Sequence, residues 1–349
     1  MTPPPAPGPE TTGSASVARP GRWLVLALGA LLLVLAVVSL GIGPARIAPL
    51  TAARALVEDL GPASVIVREL RLPRTLLALA IGFTLGLVGA ALQGLLRNPL
   101  ADAAVFGAPQ AAAFGAVVTL YFGLAGALSF ALPVAAILGA LASIGLVTLV
   151  AGRGGLVVLV LAGLAVGSLF GAATSLAINL SPNPYAVTEI VFWLLGSLED
   201  RSMAHLVLSL PFLALASLGL LTAGPALRSL TLGEEAAASL GIPVRRTRLL
   251  VVAASAVGAG AAVAVAGAIG FVGLVSPHLV RAAVGHDPAR TLLPAGLAGA
   301  ALLTAADIAV RLIPTLVEIK IGVLTAGLGV PLFLLIIARR RAELAETPA

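Results

Sequence analysis

Cysteine is absent from this 349-residue chain, and lysine occurs once, at Lys320. Without cysteine there is no disulfide framework, no thiolate nucleophile and no cysteine metal site. The three histidines, His205, His278 and His286, are scattered and do not suggest a zinc or haem cage. A phosphate-binding loop needs G-x-x-x-x-G-K-[ST], and the lone lysine instead sits in Glu318-Ile-Lys320-Ile-Gly322. Any ATP hydrolysis linked to this chain therefore belongs to another polypeptide, and the chain itself is expected to hold no cofactor. Charge is scarce as well. Charged residues make up 10% of the chain, against roughly 25% in soluble domains. The net charge of +6 does not mark a nucleic-acid surface, because no loop has the basic and aromatic density that such a surface needs.

What fills the chain is apolar. Hydrophobic residues account for 59%, and the mean hydropathy is +1.10. Residues 23–43 carry no ionisable group, and at 1.5 Å per residue such a stretch crosses ~30 Å of hydrocarbon. Stretches of this kind recur. They predict an all-α, polytopic membrane protein with about ten transmembrane helices, near 23–43, 70–95, 105–122, 128–150, 156–179, 204–224, 249–268, 269–285, 292–312 and 319–338. Residues 1–21 read as a disordered tail, 22–340 as one membrane domain and 341–349 as a second tail. Arg19 and Arg22 precede the first apolar run, as in a signal peptide. That run exceeds the usual signal core and shows no small-x-small cleavage site, so an uncleaved first helix is expected.

Arginine placement sets the expected orientation. With both termini cytoplasmic, inward segments hold 13 of the 21 basic residues, including Arg228, Arg245, Arg246, Arg248 and the cluster Arg339, Arg340 and Arg341. Five others crowd into the first outward connection: Arg46, Arg54, Arg68, Arg71 and Arg74. Small residues line many spans, for example Gly82, Gly86, Gly89 and Gly94. In lipid they let helix backbones approach closely. A faint echo between Arg74-Thr-Leu-Leu with Gly89-Ala-Ala and Arg248-Leu-Leu with Gly260-Ala-Ala fits either an inverted repeat or chance in so Ala-rich a chain.

Four segments are more specific. The first runs from Arg71-Leu-Pro-Arg74 into a span that ends in Gln93-Gly-Leu-Leu-Arg97-Asn98-Pro99-Leu-Ala-Asp102. The second is Leu232-Gly-Glu234-Glu235-Ala-Ala-Ala-Ser-Leu240-Gly241. The third is Gly270-Phe-Val-Gly-Leu-Val-Ser-Pro277-His278-Leu-Val-Arg281, and the fourth is Ala306-Asp307-Ile-Ala-Val-Arg311. In order and spacing, over about residues 22–340, they resemble the permeases of bacterial ABC importers for iron–siderophore, haem and vitamin B12 complexes. The resemblance implies the ABC importer permease architecture, in the bacterial inner membrane. It also implies a second permease copy or homologous permease, separate ATPase subunits that consume ATP, and a periplasmic or extracellular binding protein.

The resemblance also implies roles for residues. In 226–248 the family's coupling element docks into the ATPase, which here falls on Gly233, Glu234, Glu235, Ala236, Leu240 and Gly241. The residues themselves fit a helix–turn–helix. Acids favour a helix N-terminus, Gly241 suits a left-handed cap, and Pro243 is placed to start a second short helix. At the outer ends of spans, Arg71, Arg74 and Arg311 match arginines that receive glutamates of the binding protein, a task for which a planar guanidinium is suited. Interfacial snorkelling is the alternative. A cytoplasmic gate is expected near the connection of the fourth and fifth spans, at Gly155, Leu156 and Val157, where an apolar constriction would close the path.

Some residues depart from the family pattern: Ala103 after Asp102, Pro109-Gln110 within Phe106-Gly-Ala-Pro-Gln-Ala, and Lys320 where proline is usual. Lys320 would either attract an anionic chelate or acidic surface at the outer mouth, or snorkel to headgroups. Asp307 and Glu318 fall near an outer boundary and Glu189 in an outward loop, which leaves no carboxylate at mid-bilayer for an ion-coupled carrier. His278 reads as a hydrogen-bonded structural residue. An ion-driven carrier or channel and an intramembrane enzyme remain as rival classes. The enzyme lacks a nucleophile–base–orienter pattern.

Overall fold

The structure, a computed structural model, describes residues 20–346 apart from 46, 125–129, 153, 182 and 316. The expected N-terminal tail therefore falls almost wholly outside the described residues. Among those described there are helices and no strands. In chain order the α-helices are α1 (Pro20–Gly41), α2 (Pro49–Ala55), α3 (Pro62–Val65), α4 (Leu72–Leu96), α5 (Ala108–Tyr121), α6 (Ala131–Ala151), α7 (Leu156–Asn179) and α8 (Pro184–Leu194). They continue with α9 (Met203–Thr222), α10 (Gly224–Leu230), α11 (Glu234–Ser239), α12 (Val244–Ala266), α13 (Val272–Arg281), α14 (Pro288–Leu312) and α15 (Ile321–Glu346).

Each expected span has a helix, but not all are of spanning length. Among the described residues seven are long and apolar enough to cross a bilayer, while α5 has 14 residues and α13 has 10. Three expectations are corrected. The last helix runs on to Glu346, past the boundary drawn at 340. The connection after α7 contains α8, opened by Asn183, whose Oδ1 accepts the Tyr185 N–H at 3.0 Å, with Pro184 at the first helical position. The third correction concerns Pro243, which does not begin a short helix. It is the N-cap of α12, the 23-residue span itself.

The core sits between α4, α12 and α14. In their most apolar windows 78%, 78% and 72% of residues are buried, against 6% for α1. Glycine explains how α4 gets so close to its neighbours. A Cβ placed on Gly82 would stand 2.5 Å from the Gly299 carbonyl oxygen of α14, and one on Gly86 would strike the Ala295 carbonyl. Gly82 and Gly86 are four apart, on one face of α4. No hydrophobic effect drives helices together in lipid, so this backbone contact supplies dispersion that a larger side chain would prevent. The glycines of the second span are packing residues.

Helix α1, by contrast, is held at its C-terminal end. Arg71 donates to the carbonyls of Leu40 and Gly41 at 2.8 Å each and also to that of Ala45, while Arg311 donates to those of Ser39 at 2.9 Å and Ile42 at 2.8 Å. Those of Ser39, Leu40 and Gly41 end the helix without intrahelical partners and carry the negative end of its dipole. Two guanidinium groups therefore reinforce a helix that packs along α14 but buries little of its own surface.

Candidate functional site

Two constellations lie at opposite ends of the bundle. At the first, Arg71, Arg74 and Arg311 come together as the sequence suggests, but facing inward. Pro73 lies where α4 runs on from a π-helical turn, Ile66–Arg71, so its missing N–H falls where the helical ladder is already shifted, and Arg74 follows it. The Arg74 Nε donates to Asp307 Oδ1 at 2.8 Å and its Nη1 to Glu318 Oε2 at 3.0 Å, with Nη2 on the other oxygen of Glu318. Arg311 Nη2 lies 2.8 Å from Asp307 Oδ2 and donates to Ser39 Oγ at 2.5 Å. The Arg311–Asp307 approach is a charge contact and not an aligned hydrogen bond, because it has ion-pair distance without an N–H directed at the oxygen. Asp307 is fully buried, and Arg71, Arg74 and Arg311 are nearly so.

Within this chain the three guanidinium groups are therefore not free forks. Carboxylates and helix-end carbonyls of the same chain already occupy them. Burying a charge unpaired costs several kcal/mol, so a guanidinium this deep must find partners within the fold. The arginines line a cavity of about 320 Å³ together with Glu199, Asp200 and Arg201. Lys320, beside it, pairs with Glu199 at 2.8 Å. Neither headgroup snorkelling nor an unpartnered attractant describes its contact.

At the other end, Glu234 and Glu235 open α11, whose Ala237 is buried against the bundle while Glu235, Ala236 and Leu240 are exposed. The helix closes as the sequence indicates. Gly241 has φ +80°, its N–H bonds the Ala238 carbonyl at 2.9 Å, and the Ile242 N–H bonds that of Ala237 at 3.1 Å. This is the Schellman pattern. Leu232 and Leu240 are exposed, as are Arg245 and Arg246, so this end of the chain presents both apolar and charged side chains.

Gly155, Leu156 and Val157 sit at the start of α7. Gly155 is the N-cap and makes no side-chain cap bond. Leu156 turns toward its own core, whereas Val157 is 72% exposed. Of the two apolar residues expected to close a path, only Val157 projects from the chain.

A link between these elements escapes sequence reading. Arg248, noted there only as a flanking charge, donates through Nη2 to Glu234 Oε1 at 2.8 Å and through Nη1 to the Gly154 carbonyl at 3.1 Å. Nearby, Asp287 caps α14 by accepting from Ala289 and Arg290 N–H, and pairs with Arg228 of α10 at 2.7 Å. Partial burial opposes ionisation of Asp287, but Arg228 and the two N–H groups outweigh it and hold its carboxyl below the ordinary aspartate range. Burial pushes the Asp102 carboxyl upward, against the single N–H bond from Ala103. His278 behaves as expected, with Nδ1 2.9 Å from the Leu274 carbonyl.

An all-α bundle of long apolar helices, with an exposed acidic helix at one end, defines a polytopic membrane protein. The FecCD transport family matches residues 31–339, and the chain belongs to it: it is a permease subunit of the ABC importer class. The hemin transport system permease of Yersinia pestis is 40% identical over 282 residues, spanning 79% of this chain and 84% of that one. The cobalamin import system permease of Halobacterium salinarum is 39% identical over 285 residues, 80% and 75% of the two chains. A solved structure, described as an inward-facing conformation of a transporter assigned to the metal-chelate type, superposes with TM-score 0.83 at 33% identity and covers 91% of this chain and 99% of that one.

Proposed function

We propose that this permease passes an iron–siderophore, haem or cobalamin complex inward, from a binding protein outside to the cytoplasm, while a separate ATPase supplies the energy. The observation that carries the reading is the face of α11, exposed at Glu235, Ala236 and Leu240 and tied to the bundle through Glu234. An exposed segment that mixes apolar and charged side chains is suited to a protein interface. In this reading both termini and α11 are cytoplasmic, the membrane is the bacterial inner membrane, and Gly233, Glu234, Glu235, Ala236, Leu240 and Gly241 seat the ATPase. A second permease copy covers the face of α7 that carries the exposed Val157, Leu161, Leu164, Leu169 and Leu176. Gly155, Leu156 and Val157 form the inner constriction, with Val157 as its projecting member. The arginine cluster at the opposite end stiffens the outer surface on which the binding protein sits.

Uptake measurements test the cargo. The permease, its co-expressed ATPase and binding protein are reconstituted in vesicles, and ferric siderophore, hemin and cobalamin are offered in turn. The expected result is ATP-dependent accumulation of one of these chelates. Accumulation of none of them, with the ATPase bound and active, would contradict the assignment of cargo class.

A further inference from the structure

Helix α11 and the start of α7 are far apart in sequence, yet one side chain bonds both. Arg248 lies 14 positions from Glu234 and 94 from Gly154. It sits in the second turn of α12, next to the buried Thr247, and its side chain is 13% exposed. A guanidinium offers several donors in a rigid plane, so one group can hold a carboxylate on one side and a carbonyl on the other. Shielding from water strengthens both bonds.

The Gly154 end is the more telling. Glycine is the N-cap of α7 and makes no cap bond, and the first turn of α7 has no acidic residue. Locally, the link is held by one backbone turn, Gly154 N–H to the Ala151 carbonyl at 2.8 Å. Among the described residues, the side-chain hydrogen bond to this turn comes from Arg248. At its other end, Glu234 is the first residue of a helix whose outer face is open to a partner.

We propose that Arg248 is a positioning residue that transmits displacement of α11 to the Gly154–Gly155 link and so to the start of α7. A push or pull on α11 moves the Glu234 carboxylate. The guanidinium follows it, and the Gly154 carbonyl follows the guanidinium. This inference rests on the proposed seating of an ATPase on α11 and of a constriction at Val157. It adds the connection between them.

The native absence of cysteine makes a clean test possible. A Val157→Cys reporter is placed in the permease–ATPase complex, and its labelling by fluorescein maleimide is timed without nucleotide and with a non-hydrolysable ATP analogue. If labelling does not respond to nucleotide with Arg248 intact, the underlying reading of coupling and constriction fails. If it responds, the inference is tested by Arg248→Gln, which should cut the nucleotide-dependent change by about tenfold, the scale of one lost charge-assisted bond, while the ATPase still binds. A full response in Arg248→Gln overturns the proposal.

A charge swap separates this role from simple bracing. Glu234→Arg with Arg248→Glu restores the ion pair, but a carboxylate cannot donate to the Gly154 carbonyl. Bracing alone would be rescued by the swap. Transmission should stay lost in the swapped protein and return in part with Arg248→Lys, whose ammonium still donates. Recovery of the full response by the swap would contradict the inference.

Discussion

Arg74 holds Glu318 fork to fork across 244 positions of sequence, with its remaining nitrogen on Asp307. The pair joins the start of α4 to the segment that leads into α15, and the bond to Asp307 adds α14. The start of α4 and two consecutive late segments therefore meet on one guanidinium. Breaking a buried pair by removing one partner strands the other charge, which costs about 3–5 kcal/mol. Arg74→Leu is expected to lower the thermal unfolding midpoint in detergent sharply, and Arg74→Leu with Glu318→Leu to recover part of the loss. Equal stability of Arg74→Leu and the unaltered chain would contradict the internal role of this residue.

The same burial bears on docking. Charge reversal at Arg71, Arg74 and Arg311 should reduce the yield of monodisperse protein. In whatever folded protein survives, the salt dependence of binding-protein affinity should change little, because these charges do not face outward. Gel filtration, followed by titration at low and high salt, distinguishes the two effects. Full yield with a selective loss of salt-sensitive affinity would show that these arginines dock the binding protein directly.

Close contact of α4 with α14 depends on hydrogen in place of a side chain. Gly86→Ala puts a methyl group against the Ala295 carbonyl, and overpacking of this kind costs about 1–3 kcal/mol. The expected readout is a lower unfolding midpoint. Gly171→Ala, inside α7, where an added Cβ meets nothing, should not lower the midpoint.

Gly241 adopts a left-handed backbone, which costs a residue with a Cβ about 1–2 kcal/mol. Gly241→Ala should therefore fray the end of α11 and weaken ATPase binding while leaving the membrane bundle intact. Co-purification of the ATPase, compared with far-ultraviolet circular dichroism, reads the two effects separately.

Asp287 gives a pH dependence of definite sign. Its folded value lies below the ordinary 3.8, so the stability it contributes is fully present above that ordinary value. The contribution fades as pH falls through the depressed folded value. Asp287→Asn should lower stability at neutral pH, and the difference from the unaltered chain should shrink under acid conditions. A difference that grows with acidification would contradict the pairing with Arg228.

The sequence made most of the bundle legible because the signals involved are local. Runs of apolar residues locate the spans, and Gly241 with Glu234 and Glu235 marks both ends of α11. The signals for α8 were also present in Asn183 and Pro184, but an 11-residue helix lacks the length that marks a span. The partners of Arg74 and Arg248 could not be read. No periodicity relates a residue to one 244 or 94 positions away, and an arginine bound for the interior looks in sequence like one bound for a partner. Pro243 shows a related ambiguity: proline marks the start of a helix but not its length.

The account rests on energy supplied from α11, and proteoliposomes test that most directly. Chelate accumulation is measured with the permease alone and with its ATPase, binding protein and ATP, while ionophores abolish proton and sodium gradients. Accumulation should require the ATPase and ATP and survive the ionophores. Uphill uptake by the permease alone, driven by an ion gradient and lost with ionophore, would contradict it.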